Sequence, residues 1–276
     1  MNLFFSILKI SRLNNAIISF LTIIVAAELA GGLEPLNNVI LAAFTAAFIT
    51  IGANVINDYY DIEIDRINKP DRPLAAGRIS KRSALIYFII MYLTGWSLAW
   101  AINPVMLIIA FIIGTLLIYY SYALKKTVLL GNLTVSLATA FAFIFGGSAV
   151  YHYKQTLFPA AFAFFFHLGR EILKDIQDRE GDKKAGAVTF PIKYGTERAL
   201  LLIAIVFILL VIITVIPYIF GIYGIRYFTI VCLGVYPVWA FVIYRSYKDV
   251  TPKYLGQLSN LLKVDMLVGL IAIYLK

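Results

Sequence analysis

The chain has few of the residues that build soluble enzymes, disulfide scaffolds or zinc sites. Only 14% of its 276 residues are charged and 61% are hydrophobic, which excludes an ordinary soluble domain. Its single cysteine, Cys232, excludes a disulfide framework. With two histidines besides, the sequence offers few of the ligands that zinc prefers. No GxxxxGK[ST] loop is present, so phosphate binding through a P-loop is unsupported.

Long apolar runs fill most of the chain, and the mean hydropathy is +0.86. A helix needs about 20 apolar residues to cross a bilayer, and lipid offers no partners for unpaired backbone groups. We therefore predict an all-α integral membrane protein with nine transmembrane helices. The predicted spans are residues 13–32, 37–57, 84–102, 104–123, 129–150, 157–175, 199–217, 224–245 and 259–275. Residues 1–12 are expected to form a short amphipathic segment at the membrane surface.

The basic residues predict the orientation of these spans. A cytoplasmic N-terminus and nine helices leave only Lys154, Arg226 and Lys276 of the 24 basic residues on the outer side. Such an asymmetry agrees with the positive-inside rule. We expect a multi-pass protein of the cell membrane with its C-terminus outside. The net charge of +9 then reports topology and contact with anionic membrane lipids, and nucleic-acid binding is not expected.

One acidic pattern occurs twice, 117 residues apart, and divides a single domain (residues 1–276) into an internal repeat. The first copy (motif one, residues 54–65) reads N-x-x-N-D-x-x-D-x-x-x-D, and the second (motif two, residues 171–182) reads E-x-x-K-D-x-x-D-x-x-x-D. Five acidic residues fall within 58–71 and five within 171–182, which is ten of the fifteen in the chain. Four predicted spans separate the copies, so both should lie on the cytoplasmic side and face one another across a pseudo-two-fold bundle.

The spacing of the aspartates predicts two metal-binding faces. Positions i, i+3 and i+7 of a helix fall within about 60° of arc, so each motif forms one carboxylate stripe. The stripes lie at the C-terminal ends of their helices, where the helix dipole already disfavours negative charge. Carboxylate oxygens suit Mg²⁺, which binds a few carboxylates together with substrate phosphates. We expect Mg²⁺ bridging to a diphosphate, with apolar helices that hold a prenyl chain and exclude water.

These motifs resemble the two aspartate-rich motifs of the UbiA superfamily of intramembrane prenyltransferases, and the resemblance covers essentially the whole chain. It implies a helical bundle that opens to lipid and binds a prenyl diphosphate through Mg²⁺. It carries metal or diphosphate binding to the matching positions Asn57, Asp58, Asp61, Asp65, Asp175, Asp178 and Asp182. Asp61 and Asp178 are the central residues of the two motifs, and we assign them a catalytic role.

Further polar residues are candidates by position. Tyr122-x-x-x-Lys126 resembles a family element whose lysine contacts diphosphate, and the adjacent Lys125 is an equal candidate. We therefore expect Tyr122, Lys125 and Lys126 to take part in catalysis. Asn54 lies on the same helical face as the aspartates of motif one, so we include it in that motif. An anionic acceptor would need additional cations. The candidates for substrate binding are Asn54, Asn57, Arg12, Arg72, Arg78, Arg170 and Lys174.

The loops most resemble the archaeal ether-lipid branch of this superfamily. PDRPLAAGRIS (residues 70–80) and the stretch 169–195 carry this resemblance. It implies transfer of a geranylgeranyl group from geranylgeranyl diphosphate to the sn-2 hydroxyl of geranylgeranylglyceryl phosphate. The base could be an aspartate of either motif or the released diphosphate.

Three alternatives remain open at this point. An aromatic acid or a quinone precursor could be the acceptor instead. A cation transporter could use repeated carboxylates, although transporter sites lie near the bilayer midplane and these lie at span ends. An inactive lipid-binding homologue is disfavoured by the complete motifs. Protein partners are not predicted by any sequence feature.

Overall fold

The computed structural model describes residues 3–276, except for the side chains of residues 3, 4, 67 and 68, and every regular element in that range is helical. The prediction of an all-α membrane protein is confirmed. The first half of the chain contains α1 Leu3–Ser11, α2 Leu13–Ala30, α3 Leu36–Tyr60, α4 Ile62–Asn68, α5 Lys81–Ile102 and α6 Pro104–Tyr122. The second contains α7 Leu130–Ala149, α8 Leu157–Gln177, α9 Arg179–Lys184, α10 Phe190–Tyr194, α11 Thr196–Ile219, α12 Ile225–Ile230, α13 Tyr236–Lys248 and α14 Pro252–Tyr274.

Eight helical segments in the described part of the chain are long and apolar enough to cross a membrane. Helices α12 and α13 form one of them, joined by a π-helical turn at Val231–Val235. Pro237 lies two residues after the end of this turn and cannot donate a backbone hydrogen bond, which favours the local change of helix type. Helix α8 covers the predicted span 157–175, but it carries four charged residues near its end and is not among the eight. The count of nine spans therefore stays a prediction.

The chain forms two compact units. The first comprises Met1–Lys125 and Phe141–Leu157, and the second comprises Lys126–Ala140 and Phe158–Lys276. In the first unit α3 packs against α2, α5 and α6. Beneath motif one lies an apolar cluster that includes Ile10, Ile51, Val55, Ile62, Leu74 and Ile79, so the loop after α4 is anchored to the core. In the second unit α13 packs against α11 and α14.

Each unit repeats one close helix contact below its acidic motif. Gly52 lies six residues before Asp58, and Gly169 lies six residues before Asp175. A Cβ atom at Gly52 would come within 2.4 Å of the Tyr92 ring on α5. One at Gly169 would come within 2.8 Å of the Phe207 ring on α11. Both glycines therefore let the motif helix approach an aromatic ring of the next long helix, which is a structural counterpart of the sequence repeat.

This contact leads to a stability prediction for Gly52→Ala. Tyr92 is 2% exposed and donates a hydrogen bond to the Gly114 carbonyl at 3.1 Å, so its ring cannot easily move. We expect overpacking to cost about 1–3 kcal/mol, which exceeds the roughly 0.5–1 kcal/mol that alanine gains over glycine in a helix. Gly269→Ala is the matched control, because no heavy atom lies within 4 Å of its added Cβ.

Thermal unfolding of the detergent-solubilised protein would measure both effects. We expect a lower midpoint for Gly52→Ala and an unchanged or slightly higher midpoint for Gly269→Ala. Equal midpoints for the two variants would show that the α3–α5 contact tolerates the extra methyl group.

Candidate functional site

Motif one lies where α3 ends and α4 begins. Asn54, Asn57 and Asp58 occupy the last two turns of α3, and Asp65 lies on α4. Asp61 stands between the two helices with φ −95° and ψ 3°. The backbone bonds Asp61 N–H to Asn57 C=O (3.1 Å) and Asp65 N–H to Asp61 C=O (2.7 Å) continue across this junction. The motif therefore keeps a helix-like path although regular helix stops at its central aspartate.

Motif two has the same backbone geometry. Asp178 lies between α8 and α9 with φ −94° and ψ 4°, nearly identical to Asp61. Its N–H donates to the Lys174 carbonyl at 2.8 Å, and its own carbonyl accepts from Asp182 N–H at 2.9 Å. The prediction that each motif forms one carboxylate stripe did not include this interruption of the regular helix. Both copies place their central aspartate at a helix junction, and the repeat extends to backbone conformation.

Two arginines neutralise the outer aspartates of motif one. Arg12, at the joint of α1 and α2, is ion-paired with Asp58. Arg72 Nη1 donates to Asp58 Oδ1 at 3.1 Å and to Asp65 Oδ2 at 2.6 Å. Asp58 and Asp65 are buried, so these pairs are weakly screened by solvent. The cations also offset the unfavourable field at the C-terminal end of α3.

A lysine neutralises the central aspartate. Lys125 Nζ is ion-paired with Asp61 Oδ1 and lies 3.3 Å from Asn57 Oδ1. The Asn57 amide donates to the other Asp61 oxygen at 3.1 Å. Both ends of the Lys125–Asp61 pair are mostly buried, with 14% and 16% of each side chain exposed. Together with Arg12 and Arg72, Lys125 balances the three carboxylates of motif one.

The structure separates the two candidate lysines. Lys125 contacts motif one, whereas the Lys126 side chain is exposed and its carbonyl accepts from Val188 N–H at 2.9 Å. Tyr122 is 63% exposed, and its ring meets the Tyr60 ring edge-on at 5.5 Å. Tyr122 therefore lies beside the end of α3 rather than within the ion-pair network. Of the pair Lys125 and Lys126, the structure brings the first to the aspartates.

The remaining candidates of the first unit lie around this network. The Asn54 amide donates to the Ser11 carbonyl at 3.2 Å and its oxygen lies 3.5 Å from the Asn15 amide, so α1, α2 and α3 are tied together there. Arg78 lies on the loop after α4 and is 3.7 Å from the exposed carboxylate of Asp71. Arg78 is thus placed on the loop surface.

Motif two has a different charge balance. Asp175 accepts a hydrogen bond from the Asn132 amide of α7 at 2.9 Å. The equivalent residue of motif one, Asp58, is instead paired with two arginines. Glu171 takes the neighbouring cations, with Lys174 at 2.9 Å and Arg170 at 3.3 Å. Asp178 is exposed and Asp182 half-buried. The predicted substrate residues Arg170 and Lys174 therefore lie on α8 but are engaged by Glu171.

Asn132 was not among the sequence-predicted residues, although a signal for it exists. The 117-residue offset that relates the motifs also relates L-x-N-x-x-x-S at residues 13–19 to the same pattern at residues 130–136. This offset aligns Asn132 with Asn15. Both asparagines contact the motif helix of their own unit.

The donor atoms fit a hard divalent cation. Carboxylate and amide oxygens form both motifs, and oxygen ligands suit Mg²⁺. Within residues 3–276, no group of three or more His, Cys, Asp or Glu side chains is gathered as a ready metal cage. Mg²⁺ does not require such a cage, since it retains waters and binds one or two carboxylates plus substrate phosphates. Asn57, Asp58, Asp61, Asp65, Asp175, Asp178 and Asp182 are the residues that could hold it.

The fold and the site together define a helical membrane protein with two structurally repeated carboxylate motifs. Cations that suit phosphate surround one of these motifs. Residues 19–261 match the sequence profile of the UbiA prenyltransferase family. The chain belongs to this family and is a prenyltransferase.

Individual relatives agree with this assignment. The chain is 34% identical over 266 residues to digeranylgeranylglyceryl phosphate synthase of Methanosphaera stadtmanae, with 96% of each chain covered. It is similar to a solved structure described as digeranylgeranylglyceryl phosphate synthase in membranes, with 32% identity, a TM-score of 0.85 and coverage of 99% of this chain and 98% of the other. A UbiA homologue from Archaeoglobus fulgidus bound to GPP and Mg²⁺ shares the fold at 21% identity and a TM-score of 0.68, with 97% and 99% covered.

Proposed function

We propose that this prenyltransferase moves a geranylgeranyl group from geranylgeranyl diphosphate to the sn-2 hydroxyl of geranylgeranylglyceryl phosphate, in a reaction that requires Mg²⁺. The observation that carries the proposal is the similarity, over 96% of both chains, to a synthase named for that product. A related fold binds GPP with Mg²⁺, which supports a prenyl diphosphate as the donor. The family assignment favours an enzyme over the transporter and inactive-homologue interpretations.

The residues of both motifs are proposed to share the donor's diphosphate. When bound, Mg²⁺ supplies positive charge that stabilises the diphosphate as it leaves. Asp58, Asp61 and Asp65 provide oxygen ligands from the first unit, and Asp175, Asp178 and Asp182 provide them from the second. Motif two resembles motif one in backbone geometry, so a similar ligand role for both copies is consistent with the structure.

The cations of motif one are proposed to act on the phosphate oxygens. Lys125 and Arg72 donate to carboxylates of motif one, and ammonium and guanidinium groups are donors that suit phosphate oxygens. Charge-assisted hydrogen bonds of this kind stabilise the leaving group as the allylic C–O bond breaks. The sn-2 oxygen then attacks the allylic carbon and loses its proton to an aspartate or to the released diphosphate. Apolar spans exclude water that would otherwise capture the carbocation.

The orientation in the membrane follows from the charge distribution. We propose that the N-terminus and both motifs face the cytoplasm. The excess of basic residues in the loops that follow the motifs supports this orientation.

A competition assay tests the acceptor. Purified protein in lipid nanodiscs would receive labelled geranylgeranyl diphosphate and Mg²⁺ with geranylgeranylglyceryl phosphate, 4-hydroxybenzoate and dihydroxynaphthoate, singly and mixed. We expect label in the diether product whenever the glycerophosphate lipid is present, and no label in an aromatic product under any of these conditions. Label in an aromatic product, with none in the glycerophosphate lipid, would assign the chain to an aromatic or quinone-precursor branch instead.

A further inference from the structure

An open cleft of about 500 Å³ lies on the surface at the joint between α1 and α2. Two cations, Lys9 and Arg12, line it together with Asn14 and Asn15. Lys9 is exposed and, within residues 3–276, takes part in none of the ion pairs with a carboxylate. A lining that contains two cations and two asparagines suits a phosphate group.

Arg12 connects this cleft to motif one. Its backbone adopts φ 47° and ψ 60°, a left-handed conformation that is unfavourable for residues other than glycine. The ion pair with Asp58 helps to hold it there. A guanidinium carries five N–H donors in a planar fork, so one edge can remain on Asp58 while another binds an anion. Arg12 thus places an anion in the cleft one side chain away from an aspartate of motif one.

We propose that the cleft binds the phosphate of the acceptor lipid through Lys9 and Arg12, an inference that rests on the proposed function. In geranylgeranylglyceryl phosphate only two glycerol carbons and one ester oxygen separate the reacting sn-2 oxygen from phosphorus. Anchoring that phosphate beside Asp58 therefore brings the nucleophilic hydroxyl to motif one. The cations Arg72 and Lys125 remain with the carboxylates of motif one and the donor's diphosphate.

An apolar stripe beside the cleft suits the rest of the same molecule. Leu13 lines the cleft, and Leu13, Ile17 and Leu21 follow at intervals of four residues along α2. They are 41%, 55% and 52% exposed, so they form a continuous surface for a hydrocarbon chain. The stripe extends about 12 Å at 1.5 Å per residue, along a helix long enough to cross the bilayer. An amphiphile with its phosphate at the joint can lay the prenyl chain that it already carries along α2.

Substitution of Lys9 tests the proposal, with a readout specific to phosphate. For Lys9→Gln we expect the KM for geranylgeranylglyceryl phosphate to rise about tenfold, the equivalent of about 1.4 kcal/mol. The KM for the donor should not change, nor should the rate of transfer to the dephosphorylated acceptor, geranylgeranylglycerol. Lys9→Arg should restore most of the affinity. Lys253→Gln, which removes another exposed cation at the start of α14, should behave like the wild type.

Two results would overturn the inference. An unchanged acceptor KM in Lys9→Gln would show that the cleft does not bind the acceptor. An equal rise in the KM for the phosphorylated and dephosphorylated acceptors would show that the cleft does not recognise the phosphate. If the wild type transfers no prenyl group to the glycerophosphate lipid, the proposed function fails separately. Equilibrium binding of the labelled glycerophosphate lipid to the protein in nanodiscs then tests whether the cleft binds this lipid. Weaker binding to Lys9→Gln than to Lys253→Gln would support it, and equal binding would refute it.

Discussion

Replacing Asp61 or Asp178 by alanine should reduce prenyl transfer by a factor on the order of 10³ or more. Each is the central residue of its motif, at the helix junction that the two units share. Removal of one group that stabilises transition-state charge typically costs about 10²–10³ in rate, and loss of a metal ligand adds weakened metal binding. The measurement is the initial rate with labelled geranylgeranyl diphosphate at saturating acceptor and Mg²⁺.

Asp178 is the more informative of the two variants. Its side chain is exposed and forms no ion pair or side-chain hydrogen bond within the described residues, so alanine should leave folding intact. Loss of activity in Asp178→Ala therefore cannot be attributed to a damaged structure. Asp61→Ala also removes the partner of Lys125, and its thermal unfolding should be compared with that of the wild type.

Lys154→Ala provides the control for these variants. Lys154 is exposed in the short helical turn between α7 and α8 and lies away from both motifs in sequence. We expect wild-type activity from it. Normal rates in both aspartate variants would refute the proposal that the motifs hold the diphosphate through a bridging metal.

The second large effect is expected for Lys125→Gln, with a loss of about 10²-fold in kcat/KM for the donor. Lys125 is the cation on Asp61 and Asn57, and glutamine keeps much of its length while removing the charge. Lys126→Gln should lose far less, because the Lys126 side chain is exposed and this residue's observed contact is made by its carbonyl.

The pair of adjacent lysines makes this a sharp comparison. Steady-state kinetics with varied donor would give both constants for each variant. A larger loss in Lys126→Gln than in Lys125→Gln would reverse the assignment and favour the Tyr-x-x-x-Lys register that the sequence suggests. Equal small losses would remove both lysines from donor binding.

Much of the fold could be predicted because hydropathy in a membrane protein is a strong one-dimensional signal. Long apolar runs have no soluble alternative, and lipid restricts them to helices. The span 157–175 shows where this signal weakens. Helix α8 forms as expected, but the same residues carry the charges of motif two, so composition alone does not establish that α8 crosses the membrane.

The sequence predicted the carboxylates of the site, but it predicted only some of the cations that pair with them. The repeated spacing identified the aspartates without knowledge of the fold. Arg12 and Asp58 are 46 residues apart, and Lys125 and Asp61 are 64 apart, so only tertiary structure determines which cation meets which carboxylate. The helix junction at Asp61 could not be predicted from the sequence either, because neither Tyr60 nor Ile62 is a helix-breaking residue.

The balanced charges of motif one have a consequence for how the protein matures. Buried carboxylates without partners are costly in a membrane, and many small metalloproteins fold only once their metal has neutralised the ligands. Here Arg12, Arg72 and Lys125 already occupy that position. Chelation of divalent ions should therefore abolish turnover while the thermal unfolding midpoint changes little. A newly inserted chain would reach its final fold before it meets any metal, and loading would be a reversible step in the working enzyme rather than a condition of its assembly.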